Sequence, residues 1–255
     1  MKLDTAAVLR NGWALWRRDR SILSPLSGLL LFLPQWAVML LVPEAPRIGG
    51  GADNAAAIDA WGEALSAWFA AHGALYLAAT VLTQFGTLSI AALYLSNPRV
   101  NTGGALIHAL RLLLRLLLAS VAVALPLGLA ALLALPLPGG LLLVMLPIFY
   151  VLGRTCLLGP VIVAERGTGA FAAVVRSWAL TRGHGMAVAL LVGGITVAGQ
   201  LVASVIVAID HVLKSGGVGN PVTLAVVDAG GAAATWAAAL ALALVEVILY
   251  RRLAR

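Results

Sequence analysis

A chain of 255 residues with 62% hydrophobic and 11% charged side chains carries more apolar surface than a soluble core can bury, since globular domains hold roughly half. With a mean hydropathy of +1.01, the net charge of +7 that would suggest nucleic acid in a soluble protein points to the membrane surface instead, because the arginines lie between apolar runs rather than on one exposed element. The single cysteine, Cys156, excludes an intrachain disulfide and reads as a small buried hydrophobe.

Six apolar runs predict membrane spans over Ile22–Val42, Ala74–Leu95, Leu112–Leu135, Leu141–Val163, Met186–Ile209 and Ala229–Tyr250. Each is long enough to cross a hydrocarbon layer of about 30 Å at 1.5 Å per residue. Basic residues precede the first run, but its length, Pro25, Pro34 and the lack of a small-x-small site before Pro43 favour a retained helix over a cleaved signal peptide. Beyond it, Gly49, Gly50 and Gly51 lead to Ile58, Trp61, Leu65, Trp68 and Phe69 at helical spacing, with Asp59 and Glu63 available for the polar side. That segment is either an outer interfacial helix or an extension of the second span. Pro136-Leu137-Pro138-Gly139-Gly140 predicts a tight turn joining the third and fourth spans as a hairpin. Gly159-Pro160 predicts a break or kink in the fourth.

Charge sets the orientation. Lys2, Arg10, Arg17, Arg18, Arg20, Arg99, Arg166, Arg176, Arg182, Arg251, Arg252 and Arg255 fall on one side of the spans, and only Arg47 and Lys214 on the other. Such asymmetry in short loops marks the basic side as cytoplasmic, with both termini inside.

Before each odd-numbered span lies a segment that opens with threonine and small residues: Thr5-Ala6-Ala7, Thr102-Gly103-Gly104 and Thr168-Gly169-Ala170. Leu9, Trp13 and Trp16 share a helical face in the first, as do Phe171, Val174, Val175 and Trp178 in the third. Basic amphipathic helices of this kind lie in the headgroup layer with aromatics down and arginines toward phosphate. The expected fold is therefore an all-α polytopic bundle: one integral membrane domain, 1–255, with repeats over 3–95, 101–163 and 167–250. Each repeat would be a cytoplasmic surface helix followed by a transmembrane hairpin. In the alternative, these segments only prolong the spans, as the apolar run Leu106–Leu118 allows.

Three sets of polar residues are candidate sites. Arg17, Arg18, Arg176 and Arg182 are expected to meet anionic lipid headgroups. Arg154 and Glu246 lie at similar depth, ~20 Å and ~26 Å from the outer ends of their spans, and are expected to pair inside the membrane. Gln35, Gln84 and Gln200 read first as interhelical hydrogen-bonding groups, and in the sharper alternative as a midplane polar pocket with Thr80, Thr83 and Ser204. His72, His108, His184 and His211 lack zinc spacing, and no phosphate loop, nucleophile elbow or dinucleotide fingerprint is present.

The stretch from Arg154 through Gly159, Pro160 and Glu165, continuing to Arg176-Ser177-Trp178-Ala179-Leu180-Thr181-Arg182-Gly183, resembles the membrane domain fused to some glycerophosphoryl diester phosphodiesterases and its free-standing bacterial relatives of uncharacterised function. The resemblance implies a membrane domain without a reaction, since the phosphodiesterase activity of fused members belongs to a soluble barrel that this chain lacks. It also implies a bacterial cytoplasmic membrane and a motif carried by Glu165, Ser177, Trp178 and Thr181. On the residues alone, Glu165 suits the N-terminus of the third surface helix, and Ser177 and Thr181 suit backbone or headgroup contacts on one helical face. The expected function is a non-enzymatic module, without cofactor or metal, that associates with, senses or organises anionic lipid at the inner leaflet. The alternative is a small transporter or pore with a midplane polar site. Small residues such as Gly199, Ala203, Ala233, Ala237 and Ala241 recur at four-residue spacing and suit close helix packing within the bundle, or contact with a second copy or another membrane protein. No nucleic-acid partner is expected.

Overall fold

The computed structural model describes residues 3–46, 55–96, 100–134, 140–165, 167–215 and 220–254. Their regular elements are α1 (Thr5–Ser27), a π-helical segment (Gly28–Phe32), α2 (Leu33–Leu41), α3 (Ala55–Leu95), α4 (Thr102–Ala134), α5 (Gly140–Thr155), α6 (Leu158–Ala164), α7 (Ala170–Leu180), α8 (Gly185–Ser215) and α9 (Pro221–Leu253). Six helical stretches are long and apolar enough to cross a bilayer: Thr5–Leu41, Ala56–Leu95, Thr102–Ala134, Val144–Ala164, Gly185–Ile209 and Pro221–Leu253. This is the pattern of a multi-pass membrane protein. The expected turn at Pro136–Gly139, the glycines at 49–51, and Lys2, Arg47, Asp53, Arg99, Arg166 and Arg255 lie outside the described residues.

The first crossing is bent in two places, each for a local reason. The Asp4 carboxylate accepts from the Ala7 amide at 2.9 Å and caps α1, while Asp19 leaves helical geometry (φ −110°, ψ 18°). Residues before Asp19 therefore run in a different direction from those after it. Further along, Pro34 has no N–H for the Leu30 carbonyl, and the π-helical turn just before it absorbs the mismatch. Gly86 of α3 packs on that turn: a Cβ there would come within 2.7 Å of Leu31 Cδ2 and 2.8 Å of Leu30 Cβ.

The outer segment around Trp61 and Trp68 is an extension of the second span. The 41 residues of α3 reach ~62 Å, twice the hydrocarbon thickness. Two indole N–H groups hold the extension to the preceding loop, Trp61 Nε1 donating to the Pro46 carbonyl and Trp68 Nε1 to the Pro43 carbonyl, each at 2.9 Å.

The three threonine-led segments differ. The first is set off from its span by the bend at Asp19, and the third is a separate helix, α7. The second is not set off: α4 runs from Thr102 to Ala134, with the Asn101 side chain accepting from the Gly104 amide at 2.8 Å. No glycine or proline interrupts residues 105–125, so nothing there stops the helix. Register differs as well, since Thr5 and Thr102 are first helical residues whereas Thr168 precedes the cap residue Gly169.

The Arg252 guanidinium donates to the Asp4 carbonyl at 3.4 Å, so the two ends of the chain meet at one end of the bundle. Leu23, Leu31, Leu88, Leu157, Val247 and Leu249 are fully buried between the crossings. Glycine permits the closest approaches: Gly153 of α5 lies on Ala189 of α8, and Gly199 of α8 on Ala238 of α9.

Candidate functional site

The helix break expected at Gly159-Pro160 falls one turn earlier, at Cys156–Leu157, between α5 and α6. Pro160 has no N–H for the Cys156 carbonyl, and its ring crowds that same group, so the strain is relieved four residues upstream. The interruption opens the backbone beside Arg154. Ser177 Oγ of α7 donates to the Arg154 carbonyl at 2.9 Å, and Thr181 Oγ1 lies 3.4 Å from the same oxygen.

The Arg154 side chain completes the joint in the other direction. Its Nη1 donates to the Thr181 carbonyl at 3.0 Å and its Nη2 to the Trp178 carbonyl at 2.7 Å. These carbonyls end α7, where Trp178 otherwise accepts only from the Thr181 hydroxyl at 3.2 Å and Thr181 from the His184 amide at 3.1 Å, so the guanidinium adds a second donor to each and strengthens the C-terminal cap. The cation also lies over aromatic rings, 4.6 Å from the Trp178 centroid and 5.9 Å from that of Tyr150. Arg154 is 5% exposed. Two turn residues make room for it. Gly183 adopts φ +83°, which turns the chain out of α7, and a Cβ on Gly185 would stand 2.8 Å from Arg154 Nη1 and 3.2 Å from Tyr150 Oη. The expected Arg154–Glu246 ion pair is not formed: among the described residues no salt bridge joins the two, and Glu246 is half-buried on α9. The carbonyl end of α7 takes the arginine instead, because it is within reach and each carbonyl oxygen has a second lone pair to offer.

Glu165 does not cap α7, whose N-cap is Gly169 with no side-chain bond. It pairs with Arg176, whose Nε donates to both carboxylate oxygens at 2.9 and 3.2 Å, and it accepts from Tyr250 Oη at 3.3 Å. Hydrogen bonding to Glu165 pushes the Arg176 guanidinium still further above its ordinary pKa. Since the pair is part-exposed, Glu165→Gln is expected to cost less than about 1 kcal/mol, and less again at high salt. Thermal unfolding of the purified protein at two salt concentrations would check this, and a loss several-fold larger would mean that Glu165 holds more than one surface pair.

Elsewhere the side chains singled out by sequence are scattered. Arg17, Arg18 and Arg182 are exposed, and Arg18 donates from Nε and Nη2 to Asp19 at 3.0 and 2.8 Å. Gln35 and Gln84 are half-buried and Gln200 is exposed. Thr80, Thr83 and Ser204 bond to carbonyls of their own helices, so no midplane hydrogen-bonded set is assembled among the described residues. A cleft of about 640 Å³ opens at the end of the bundle away from the termini, beside Trp68, Tyr76 and Asp228, and none of the three glutamines lines it. No group of three or more His, Cys, Asp or Glu side chains suited to a metal is found among the described residues.

Sequence inspection missed a cleft of about 390 Å³ where Asp19 and Arg18 meet Tyr94 and Arg251. Tyr94 Oη donates to Asp19 at 2.8 Å, and Arg251 Nη2 donates to the Tyr94 carbonyl at 2.7 Å. These residues stand on three separate helices, and no spacing along the chain links them.

No family model, curated protein or solved structure matches the chain. What the chain does must therefore be read from the joint of α5, α6 and α7 at Arg154, an elbow in the chain, and from the helices it connects.

Proposed function

We propose that this chain is a non-enzymatic multi-pass protein of a bacterial cytoplasmic membrane that associates with anionic lipid at the inner leaflet. The observation that carries this reading is the presentation of α7. At 11 residues, ~16 Å, that helix is too short to span. Its Phe171 and Val175 are 77% and 69% exposed, and Trp178 follows on the same face. Arg176 and Arg182 are exposed elsewhere on the same element and the turn after it. A short helix with large apolar side chains turned outward and arginines beside them suits the boundary between headgroups and acyl chains, and little else. The Arg154 joint ties the end of that helix to α5.

Three further features agree. The first half of α1 carries exposed Trp13 beside exposed Arg17 and Arg18. The excess of arginine on the termini side suits a cytoplasmic placement of both helices and both chain ends. The resemblance of the 154–183 stretch to the membrane domain of the phosphodiesterase type points the same way. Apart from Arg154 Nε, which is buried without a partner, the polar groups of the elbow are engaged by backbone carbonyls and by one another, an arrangement suited to support rather than to chemistry.

The test is retention of lipid by the purified full chain, read by native mass spectrometry in mixtures of phosphatidylglycerol and phosphatidylcholine. Neutralising Arg17, Arg18, Arg176 and Arg182 together to glutamine is expected to lower the preference for phosphatidylglycerol at least tenfold, because each basic residue near an anionic surface contributes about 1 kcal/mol. An unchanged preference in the correctly folded variant would remove the mechanism.

A further inference from the structure

A groove of about 400 Å³ lies between the first half of α1 and the membrane-crossing α9. Its construction is specific. At Gly12 the two helices touch, and a Cβ there would be 3.9 Å from both Leu244 Cβ and Val245 Cγ2. Above that crossing, Trp13 and Trp16 stack with centroids 4.7 Å apart and form one wall. Ala237 and Ala241, one turn apart on α9, recess the facing wall between Trp236 and Leu244. No charged or hydroxyl side chain lines the groove.

Apart from the indole N–H groups its lining is wholly apolar, so the groove suits an apolar occupant. One flexible hydrocarbon chain suits it. Charge at the mouth specifies the rest of the occupant. Arg10 and Arg17 are exposed, three residues before and four after Trp13, and so flank it on its own side of α1. Arg10 is held only loosely by Asp4, at 3.7 Å.

From this juxtaposition we infer that the groove binds one anionic phospholipid, with an acyl chain lying along α9 between the Trp13–Trp16 wall and Ala237–Ala241 and the phosphate at Arg10 and Arg17. The inference rests on the lipid reading above and gives it an address. The exposed tryptophan of α1, 58% accessible in the protein alone, is then a lipid contact rather than idle surface.

The test uses the full chain, stripped of lipid in detergent and supplied with one equivalent of phosphatidylglycerol carrying a photoactivatable acyl chain. After illumination, adducts are mapped by mass spectrometry. Adducts are expected in 9–16 and 236–245, reduced at least fivefold by Ala241→Trp, which fills the groove without touching an arginine, and by the milder Ala237→Leu. Arg10→Gln with Arg17→Gln should reduce labelling by phosphatidylglycerol while leaving labelling by a phosphatidylcholine probe as it was. Undiminished adducts at both segments in folded Ala237→Leu overturn the groove alone, since the lipid must then sit elsewhere. Equal wild-type labelling by the two probes overturns the anionic assignment. Cross-links between two copies through Trp13→Cys would give the groove to a second chain and overturn the proposal. Wild-type protein that retains no anionic lipid anywhere overturns the lipid reading as well.

Discussion

Replacing Arg154 with alanine is expected to destabilise the protein by about 3–5 kcal/mol, the loss of two charge-assisted hydrogen bonds together with the space the side chain fills. The carbonyls of Trp178 and Thr181 would keep only the Thr181 hydroxyl and the His184 amide as donors, and the end of α7 would lose the guanidinium's hold on α5. Arg154→Lys should recover less than half of the loss. An ammonium keeps the charge, but it has neither the planar fork that reaches two carbonyls at once nor the flat face that lies on Trp178. Unfolding in detergent followed by heat or denaturant would measure both variants. Full rescue by lysine would mean that charge alone matters there, and an unchanged midpoint in the alanine variant would remove Arg154 from its place as the keystone of the elbow. Because the same joint presents Phe171 and Val175, lipid retention should fall along with stability.

The second large effect concerns two glycines that look alike in sequence and differ in what they face. A Cβ on Gly153 would meet Ala189 Cα at 2.4 Å, whereas a Cβ on Gly199 would meet Ala238 Cβ at 2.5 Å with the next nearest atom, Ala238 Cα, at 3.9 Å. Each glycine-to-alanine change is expected to cost about 1–3 kcal/mol through overpacking. The outcomes part company when the opposing alanine is trimmed. Ala238→Gly removes the only close atom facing residue 199 and should restore most of the stability of Gly199→Ala. Ala189→Gly leaves the backbone in place and should restore little of Gly153→Ala. A double-mutant cycle on each pair tests this, and equal rescue at both sites would contradict the close approach of α5 to the α8 backbone.

Much of the architecture was legible because a bilayer forces it. A backbone in hydrocarbon must satisfy its own hydrogen bonds, so an apolar run of twenty residues has few choices besides helix. Local chemistry was legible for the same kind of reason. Pro160 cannot accept the preceding turn, and the chain breaks one turn before it; Pro34 is met by a π-helical turn. Continuity was harder to read. The alternative of simple extension applies to α4, where no breaker lies between segment and span, and to the outer part of α3, which continues through Gly73, but not to α7, which is ended by the turn at Thr181–His184.

The pairing of side chains was not legible. Similar depth suggested Arg154 with Glu246, and placement well inside their spans suggested a layer of Gln35, Gln84 and Gln200, but depth fixes only one coordinate of a position. Rotation and tilt of each helix fix the other two, and packing sets those. Gly153 on Ala189 and Gly185 beside Tyr150 bring Arg154 to the end of α7, where the Trp178 and Thr181 carbonyls accept from it. The hydroxyls of Thr80, Thr83 and Ser204 turn back to their own helices, and Gln200 faces outward.

By itself, then, the sequence determined that the chain makes six apolar helices long enough to cross a bilayer, and that its arginines gather on one side of them, because those properties depend on local composition and period. Only the tertiary structure decided which arginine is buried as a cap and which are left exposed, and that an apolar groove of about 400 Å³ opens between Trp13, Trp16 and α9. Both depend on how closely helices distant in sequence approach, which is set by the shapes of facing residues rather than by any residue alone.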